Sequence, residues 1–399
     1  MATKSGLAKS SNMIRSEYVF RLKECNALNI IFQLTDKCVL SCKYCFAKGA
    51  HEGKPVIFPE DILERAIMQA FDTRHDYVVF EWTGGEPLLA GITFFEKVVN
   101  LQKKFATKPY ENGVQTSGNL LDKDLIDYLL KNNFSISTTI DGPPSIHNSN
   151  RPTSSGGDSY ELVKKTREYI ASQGKFCGFI STITQNNIGK ERQMLDFFSE
   201  LGISEFHSNP YVFYSQNKVK DKSIALGVDD YAKFFIAEFN AWVERGKLAP
   251  TPRTINDIIK CFERHAPIHN TICTFGGRCL GNFLAITPNG DAYMCPKFTG
   301  SPNMILGNIN EYSIDKLLSY SHGKMNDFVD QRVEAMKRCK DSKCKYLFIC
   351  NGGCPYYSFI ASDGRNISAE DCMCNGKYLL FNYLDDILSG GSNRIEDTL

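Results

Sequence analysis

The sequence predicts an α/β fold: an open, partial (β/α)6 barrel followed by an irregular, cysteine-rich module. Three observations predict it. Six short apolar runs alternate with helical patterns between residue 27 and about residue 210. Sequence rich in Gly and Pro takes over from about residue 260. Of 15 cysteines, three fall within Cys38–Cys45 and ten lie from Cys261 to Cys374.

The strand-like runs are Ala27–Leu34, Tyr77–Trp82, Gly113–Thr116, Phe134–Ile140, Phe176–Ile183 and Glu205–Tyr214. Helical patterns fill the gaps at 59–73, 92–106, 122–132, 159–173 and 188–201, with Pro59 opening the first and Asp122 placed to cap the third. Short strands separated by single helices are the pattern of βαβ units and a parallel sheet. Six strands fall short of the eight of a TIM barrel, so a TIM-like sheet would stay open, with its chemistry at the strand C-terminal ends. A helix near 228–245 connects to the second part, where helices are confined to about 313–337 and 376–388. Apolar periodicity there is too sparse to build a core, and metal ligation is the usual substitute. The expected divisions are an N-terminal extension (1–26), the barrel (27–230), a helical linker (231–268), the cysteine-rich domain (269–376) and a C-terminal helix and tail (377–399). The first 20 residues and the tail after Ser389 are expected to be mobile.

Composition narrows the function. The 399 residues carry 46 basic and 45 acidic side chains, a net charge of +1, which leaves no basic footprint for a nucleic-acid backbone. The opening MATKSGLAKSSNMIRSEYVF lacks the apolar centre of a signal peptide, and no run of 18 apolar residues could span a membrane. A soluble, cytoplasmic protein follows. In a reducing compartment clustered cysteines bind metal more often than they form disulfides.

Cys38, Cys42 and Cys45 form C-x3-C-x2-C directly after the first strand. Three thiolates on one side of a cubic iron–sulfur cluster leave its fourth iron open, as chemistry at the cluster requires. A zinc loop is the competing reading, although zinc favours C-x2-C pairs and a fourth ligand. The second strand ends in Gly84-Gly85-Glu86-Pro87, where paired glycines admit close backbone approach and Glu86 offers a carboxylate for an ammonium group. The third ends at Gln115, Ser117 and Gly118, and the fourth at Thr139-Ile140-Asp141-Gly142-Pro143, followed by His147 and Arg151. Turn and cap roles compete at each of these positions.

With Phe46 after the last cysteine, GGEP and the later IDGP, the chain resembles the radical S-adenosylmethionine (SAM) superfamily. The resemblance implies a 4Fe–4S cluster on Cys38, Cys42 and Cys45, whose open iron is chelated by SAM. It further implies reductive cleavage of SAM to a 5′-deoxyadenosyl radical that abstracts a substrate hydrogen. Gly84, Gly85, Glu86 and Pro87 would contact the methionine amine; Gln115, Ser117, Thr139 and Arg151 are candidates for the rest of the cofactor or the substrate. Phe179, Ile180 and Ile183 could hold the adenine or simply belong to the core.

Beyond Cys261 the cysteines are Cys273, Cys279, Cys295, Cys339, Cys344, Cys350, Cys354, Cys372 and Cys374. Cys279 and Cys295 are separated by 15 residues, and Cys339–Cys354 reads C-x4-C-x5-C-x3-C. Eight thiolates suffice for two fully ligated four-iron clusters; a pair of zinc knuckles is the alternative. The layout is similar to the SPASM extension of radical SAM enzymes, which carries two auxiliary 4Fe–4S clusters. That resemblance implies one cluster on Cys273, Cys279, Cys295 and Cys354, and a second on Cys339, Cys344, Cys350 and either Cys372 or Cys374. Cys374, before Asn-Gly-Lys-Tyr-Leu-Leu-Phe, is favoured. The C-x4-C start departs from the family's C-x2-C and leaves Cys339 the weakest of these ligands. Cys25, Cys177, Cys261 and the other of Cys372 and Cys374 remain as ordinary thiols.

Within this group the layout is similar to anaerobic sulfatase-maturating enzymes, which make formylglycine. Those enzymes carry an Asp after the cysteine matching Cys295; here it is Pro296, which cannot take a proton, and Asp291 is a distant substitute. The expected function is therefore a radical SAM SPASM peptide maturase that forms an oxidative C–C or thioether cross-link in a ribosomal precursor. Formylglycine formation is the runner-up; an iron–sulfur electron carrier and a zinc-stabilised interaction protein are the non-enzymatic alternatives. A flavodoxin or ferredoxin would supply electrons. About 26 residues before the first strand are too few for a winged-helix leader-binding module, so a leader would be read by the barrel or SPASM surface or by a separate leader-binding protein.

Overall fold

The computed structural model describes residues 4–47, 57–214, 221–265, 273, 275 and 277–390. Helix α1 (Lys4–Lys23) leads into β1 (Ala27–Gln33). Then α2 (Glu60–Phe71), β2 (Tyr77–Thr83), α3 (Gly91–Phe105), β3 (Tyr110–Gln115), α4 (Lys123–Lys131) and β4 (Phe134–Thr139) alternate. Two helices, α5 (Pro144–Asn150) and α6 (Tyr160–Ser172), precede β5 (Cys177–Ile183), followed by α7 (Glu191–Glu200) and β6 (Glu205–Pro210). Asp122 caps α4 by accepting from the Leu125 amide at 3.0 Å, as expected of it.

Strands β1 to β6 pair in sequence order, all parallel, giving the partial barrel. Side chains alternate across it. Val78, Phe80 and Trp82 of β2 are buried against the helices, with Phe32 and Trp82 stacked at 4.5 Å. The registers put Gln33, Glu81, Thr83, Gln115, Ser137, Thr139, Ile180, Thr182, His207 and Asn209 on the opposite, concave face. That face is polar.

After α8 (Val228–Glu244), the two-residue β7 (Thr251–Pro252) extends the sheet beyond β6, and α9 (Arg253–Arg264) follows. On the other side of β1 lies β8 (Phe283–Ile286), parallel to it with Asn29 opposite Phe283 and Phe32 opposite Ile286. An antiparallel meander of β9 (Asp291–Tyr293) and β10 (Ile305–Asn308) completes a ten-stranded sheet. Helices α10 (Ile314–Leu317), α11 (Gly323–Asp341), α12 (Leu347–Cys350), α13 (Pro355–Ala361) and α14 (Cys374–Leu388) finish the described chain.

Two expectations are overturned. Residues 4–23 are helical rather than mobile. Ile14, Tyr18 and Leu22, one turn apart, are buried, and Arg15 binds Asp330 at 2.7 Å and Asn326 at 2.6 Å on α11. The C-terminal region also contributes an apolar core, continuous with that of the barrel. Leu284, Ile286, Met294, Phe298, Phe328, Val329 and Ile349 are buried in the same apolar cluster as the barrel. Arg332, 1% exposed, ties its irregular loops together through the Ser358 hydroxyl and the carbonyls of Gly352, Gly353 and Ile367. The single helix expected at 313–337 is two, α10 and α11. Of the tail after Ser389, all beyond Gly390 lies outside the described residues.

One buried acid makes a stability prediction. Glu238 of α8 is 2% exposed; its Oε1 accepts from the Ser208 hydroxyl at 2.6 Å, while Oε2 finds no partner among the described residues. Burial, reinforced by the charge of Glu191 and opposed by the Ser208 hydrogen bond, pushes its carboxyl up to about 8. The folded protein thus keeps a proton that the unfolded chain releases above its ordinary value of 4.5. Stability should fall as pH rises from there through about 8, and Glu238→Gln should remove that loss. Denaturant unfolding at pH 5 and 8.5 checks it: the variant should gain on wild type at the higher pH by on the order of a few kcal/mol. An equal difference at both pH values counts against it.

Candidate functional site

The loop after β1 carries Cys38, Cys42 and Cys45, and two neighbours hold it. The first is the glycine pair. A Cβ on Gly85 would lie 2.0 Å from the Lys37 carbonyl oxygen, and one on Gly84, whose φ is +139°, 2.7 Å from that of Thr35. The Gly85 amide donates to the Thr35 carbonyl at 2.6 Å and the Glu86 amide to that of Lys37 at 2.8 Å. The close approach that paired glycines permit is therefore to the cysteine loop itself. Glu86 is fully buried, and its carboxylate accepts from the Leu88 amide, the Thr116 hydroxyl, and both the amide and hydroxyl of Ser117 at 2.5–3.1 Å. It clamps the ends of β2 and β3 together. Pro87 begins the short turn that Glu86 caps.

The second neighbour is the segment after β4. Amides of Ser41, Lys43 and Ser154 pair with carbonyls of Pro152, Asn150 and Val39. Tyr44, between the last two cysteines, donates to Asp141 Oδ2 at 2.7 Å and accepts from Arg151 Nη1 at 2.7 Å. Asp141 is itself buried and held by the Thr182 amide. His147 accepts from the Asp141 amide through Nδ1 at 3.3 Å, and burial beside Arg151 lowers its pKa to about 3. It is a neutral acceptor there. Gln115 reaches the Thr139 hydroxyl at 3.3 Å on the concave face. Ile180 shares that face; Phe179, packed at 4.8 Å on Phe198, and the fully buried Ile183 face the helices.

Burial pushes the Cys38 thiol up to about 11 and Cys42 to about 12. Such buried thiols ionise when a metal takes them. Asp36 Oδ1 and Arg151 Nε, flanking the loop, are buried polar atoms with no partner among the described residues. Three thiols with orphaned polar atoms beside them fit a cluster with an attached polar ligand. No three His, Cys, Asp or Glu side chains among the described residues gather to hold a single ion.

The C-terminal cysteines divide into two neighbourhoods, and none of the 15 forms a disulfide. Cys279 is surrounded by Cys273, Cys295 and Cys354, whose charges add to burial in raising its pKa. Cys339, Cys344, Cys350 and Cys374 line one cavity of about 790 Å³ with Asp371 and Tyr378. Cys372 is not on that wall and senses Cys354 instead. Cys25, Cys177 and Cys261 are buried.

Sequence reasoning missed Tyr44, Arg332 and the ion pair of Asp371 with Lys377, all buried polar groups inside loops or apolar runs. The only signal for Lys377 was a lysine on the apolar side of an amphipathic helix. Asp291 is committed elsewhere: its oxygens accept from Asn289 and Asn308 at 2.7 and 2.9 Å in the β9–β10 hairpin.

An open parallel barrel with a three-cysteine loop at its mouth, joined to a second cysteine-rich module, defines a radical SAM enzyme with an auxiliary iron–sulfur domain. Comparison with known families agrees: residues 32–198 match the model of the radical SAM superfamily, and residues 273–345 that of the SPASM iron–sulfur cluster-binding domain. The chain belongs to the SPASM-bearing radical SAM enzymes. It is 27% identical over 326 residues to the cysteine-type anaerobic sulfatase-maturating enzyme of Clostridium perfringens, covering 79% of this chain and 85% of that protein. With the serine-type enzyme of Bacteroides thetaiotaomicron it shares 24% over 369 residues, covering 87% and 86%. The native anSMEcpe structure with bound AdoMet superposes with a TM-score of 0.78 at 24% identity, covering 92% of this chain and 100% of that one. Streptococcus suis SuiB bound to S-adenosylmethionine gives 0.60 at 19%, covering 90% and 80%. Family membership sets aside the electron-carrier and zinc-scaffold readings.

Proposed function

We propose that this enzyme oxidises a residue of a ribosomal precursor peptide by hydrogen abstraction and forms a C–C or thioether cross-link. Cys38, Cys42 and Cys45 would hold the SAM-binding cluster. Cys273, Cys279, Cys295 and Cys354 would hold one auxiliary cluster, and Cys339, Cys344, Cys350 and Cys374 the other; the shared cavity wall supports Cys374 over Cys372. When bound, SAM on its reduced cluster supplies the radical that takes one hydrogen atom. The chain's own part is to bind and orient. Gln33, Gln115, Thr139, His207 and Asn209 line the concave face and offer hydrogen bonds to a peptide, while the Tyr44–Asp141–Arg151 triplet fixes the cysteine loop.

The observation that carries the cross-linking reading is the environment after Cys295. Pro296 offers no base, Asp291 is engaged in its hairpin, and Lys297 sets an ammonium 5.5 Å from the Tyr356 ring centroid. The Lys297 ammonium would favour a substrate thiolate by its charge but cannot itself accept the proton. The runner-up, formylglycine formation, is favoured by the likeness to the Clostridium and Bacteroides enzymes. Anaerobic incubation of the reduced enzyme with SAM and candidate peptides, read by tandem mass spectrometry with and without a hydrazide, separates the two. Loss of two hydrogens without hydrazide capture supports a cross-link; an aldehyde adduct overturns it. The electron donor would be a flavodoxin or ferredoxin, with a separate leader-binding protein as partner and the cytoplasm as location. Among the described residues no helix is long and apolar enough to cross a membrane.

A further inference from the structure

Lys377 and Asp371 form an ion pair of 2.6 Å whose side chains are 1% and 3% exposed. The Lys377 ammonium lies 5.1 Å from the centroids of both Phe275 and Tyr357. Asp371 also accepts from the Cys354 amide through Oδ2 and the Met373 amide through Oδ1, each at 2.8 Å. The pair therefore touches the backbone of one cysteine set and lies at the root of α14, which carries Cys374 of the other. The ammonium acts electrostatically on Cys350 and Cys374 of the second set and on Cys354 and Cys273 of the first.

Stability alone gives little reason for the charge. Desolvating two ions costs about as much as their attraction returns, and an apolar residue of similar volume is often as stable in such a place. A cation fixed between two groups of thiolates has a different consequence. One-electron reduction adds a negative charge to a four-iron cluster, and a nearby buried cation favours that state far more than it would in water.

We propose that Lys377 is a positioning residue that sets the reduction potentials of both auxiliary clusters, with Asp371 fixing its ammonium between them and partly offsetting its charge. The proposal rests on the ligand assignment above but not on the identity of the substrate. In the reduction considered, each oxidised cluster takes one electron from a low-potential one-electron reductant.

The test is an EPR-monitored potentiometric titration with titanium(III) citrate on the full chain, anaerobically reconstituted. Cys38, Cys42 and Cys45 are replaced by Ala so that only auxiliary clusters are seen. Lys377→Gln is expected to shift both midpoints negative with iron content unchanged, and Lys377→Arg to restore them. Asp371→Asn, which removes a negative charge and keeps the shape, is expected to shift them positive. Opposite signs for the two variants are what a purely structural role would not produce. Unchanged midpoints in Lys377→Gln overturn the proposal. Should that variant lose its iron, Asp371→Asn decides, a positive shift supporting the proposal and none overturning it. A parent protein without about eight irons removes the ligand assignment and the proposal with it.

Discussion

Replacing Cys38, Cys42 and Cys45 together by alanine is expected to end formation of 5′-deoxyadenosine while broad absorbance near about 400 nm persists, with iron falling from about twelve to about eight per chain. The expectation follows from how the sites are separated. The loop of the three cysteines is held by the ends of β1, β2 and β4, and makes its backbone contacts to Gly85, Glu86, Asn150 and Pro152. The other two cysteine groups are held by Arg332, Asp371 and α14. Losing three thiols at one site therefore leaves the other frameworks standing. Residual SAM cleavage in the triple variant would show that the open site lies elsewhere.

The second large effect is expected from a single methyl group. Gly85→Ala places a carbon where the Lys37 carbonyl stands, at 2.0 Å, and that obstacle is backbone rather than a side chain that can swing away. Lys37 immediately precedes Cys38. The loop must retreat, the Glu86 amide loses its 2.8 Å bond to Lys37, and Cys38 moves with it. Displacements of this order in a reacting site cost about 100-fold in rate. SAM cleavage should fall at least that far, while circular dichroism and auxiliary-cluster absorbance stay near wild type. Near-normal cleavage would mean the loop has room that the structure does not show.

Much of this was legible beforehand, for definite reasons. The barrel was readable because each strand is short and most carry an apolar side, while each connecting helix carries one apolar stripe, so two distinct periods alternate along the chain. Element boundaries fell within a few residues because turn and cap residues mark them, as Asp122 does at the start of α4. The pairing of β8 with β1 was not legible, since a four-residue run such as Phe283–Ile286 carries no sign of its neighbour. Helix α1 could have been found from Ile14, Tyr18 and Leu22, but a weakly amphipathic, polar segment reads as a loose end until its partner α11 is known. At the site, cysteine spacing located the loop; that the glycines and glutamate of GGEP also hold this loop to the sheet was not legible, because it depends on tertiary packing. Which thiols share a cavity depends on tertiary folding, and spacing could not have separated Cys372 from Cys374.

The union of β1 with β8 also bears on how the chain is made. Asn29 waits for Phe283, Tyr18 for the carbonyl of Gly277, and Arg21 for Asn351. At ordinary ribosomal speed the first strand exists for roughly 10–50 s before its outer neighbour has been synthesised. During that interval one edge of β1 is bare and the three-cysteine loop beside it is exposed to oxygen and to other nascent chains. Assembly of this edge of the sheet thus joins segments far apart in the chain, which favours inserting the loop's iron after both have been synthesised.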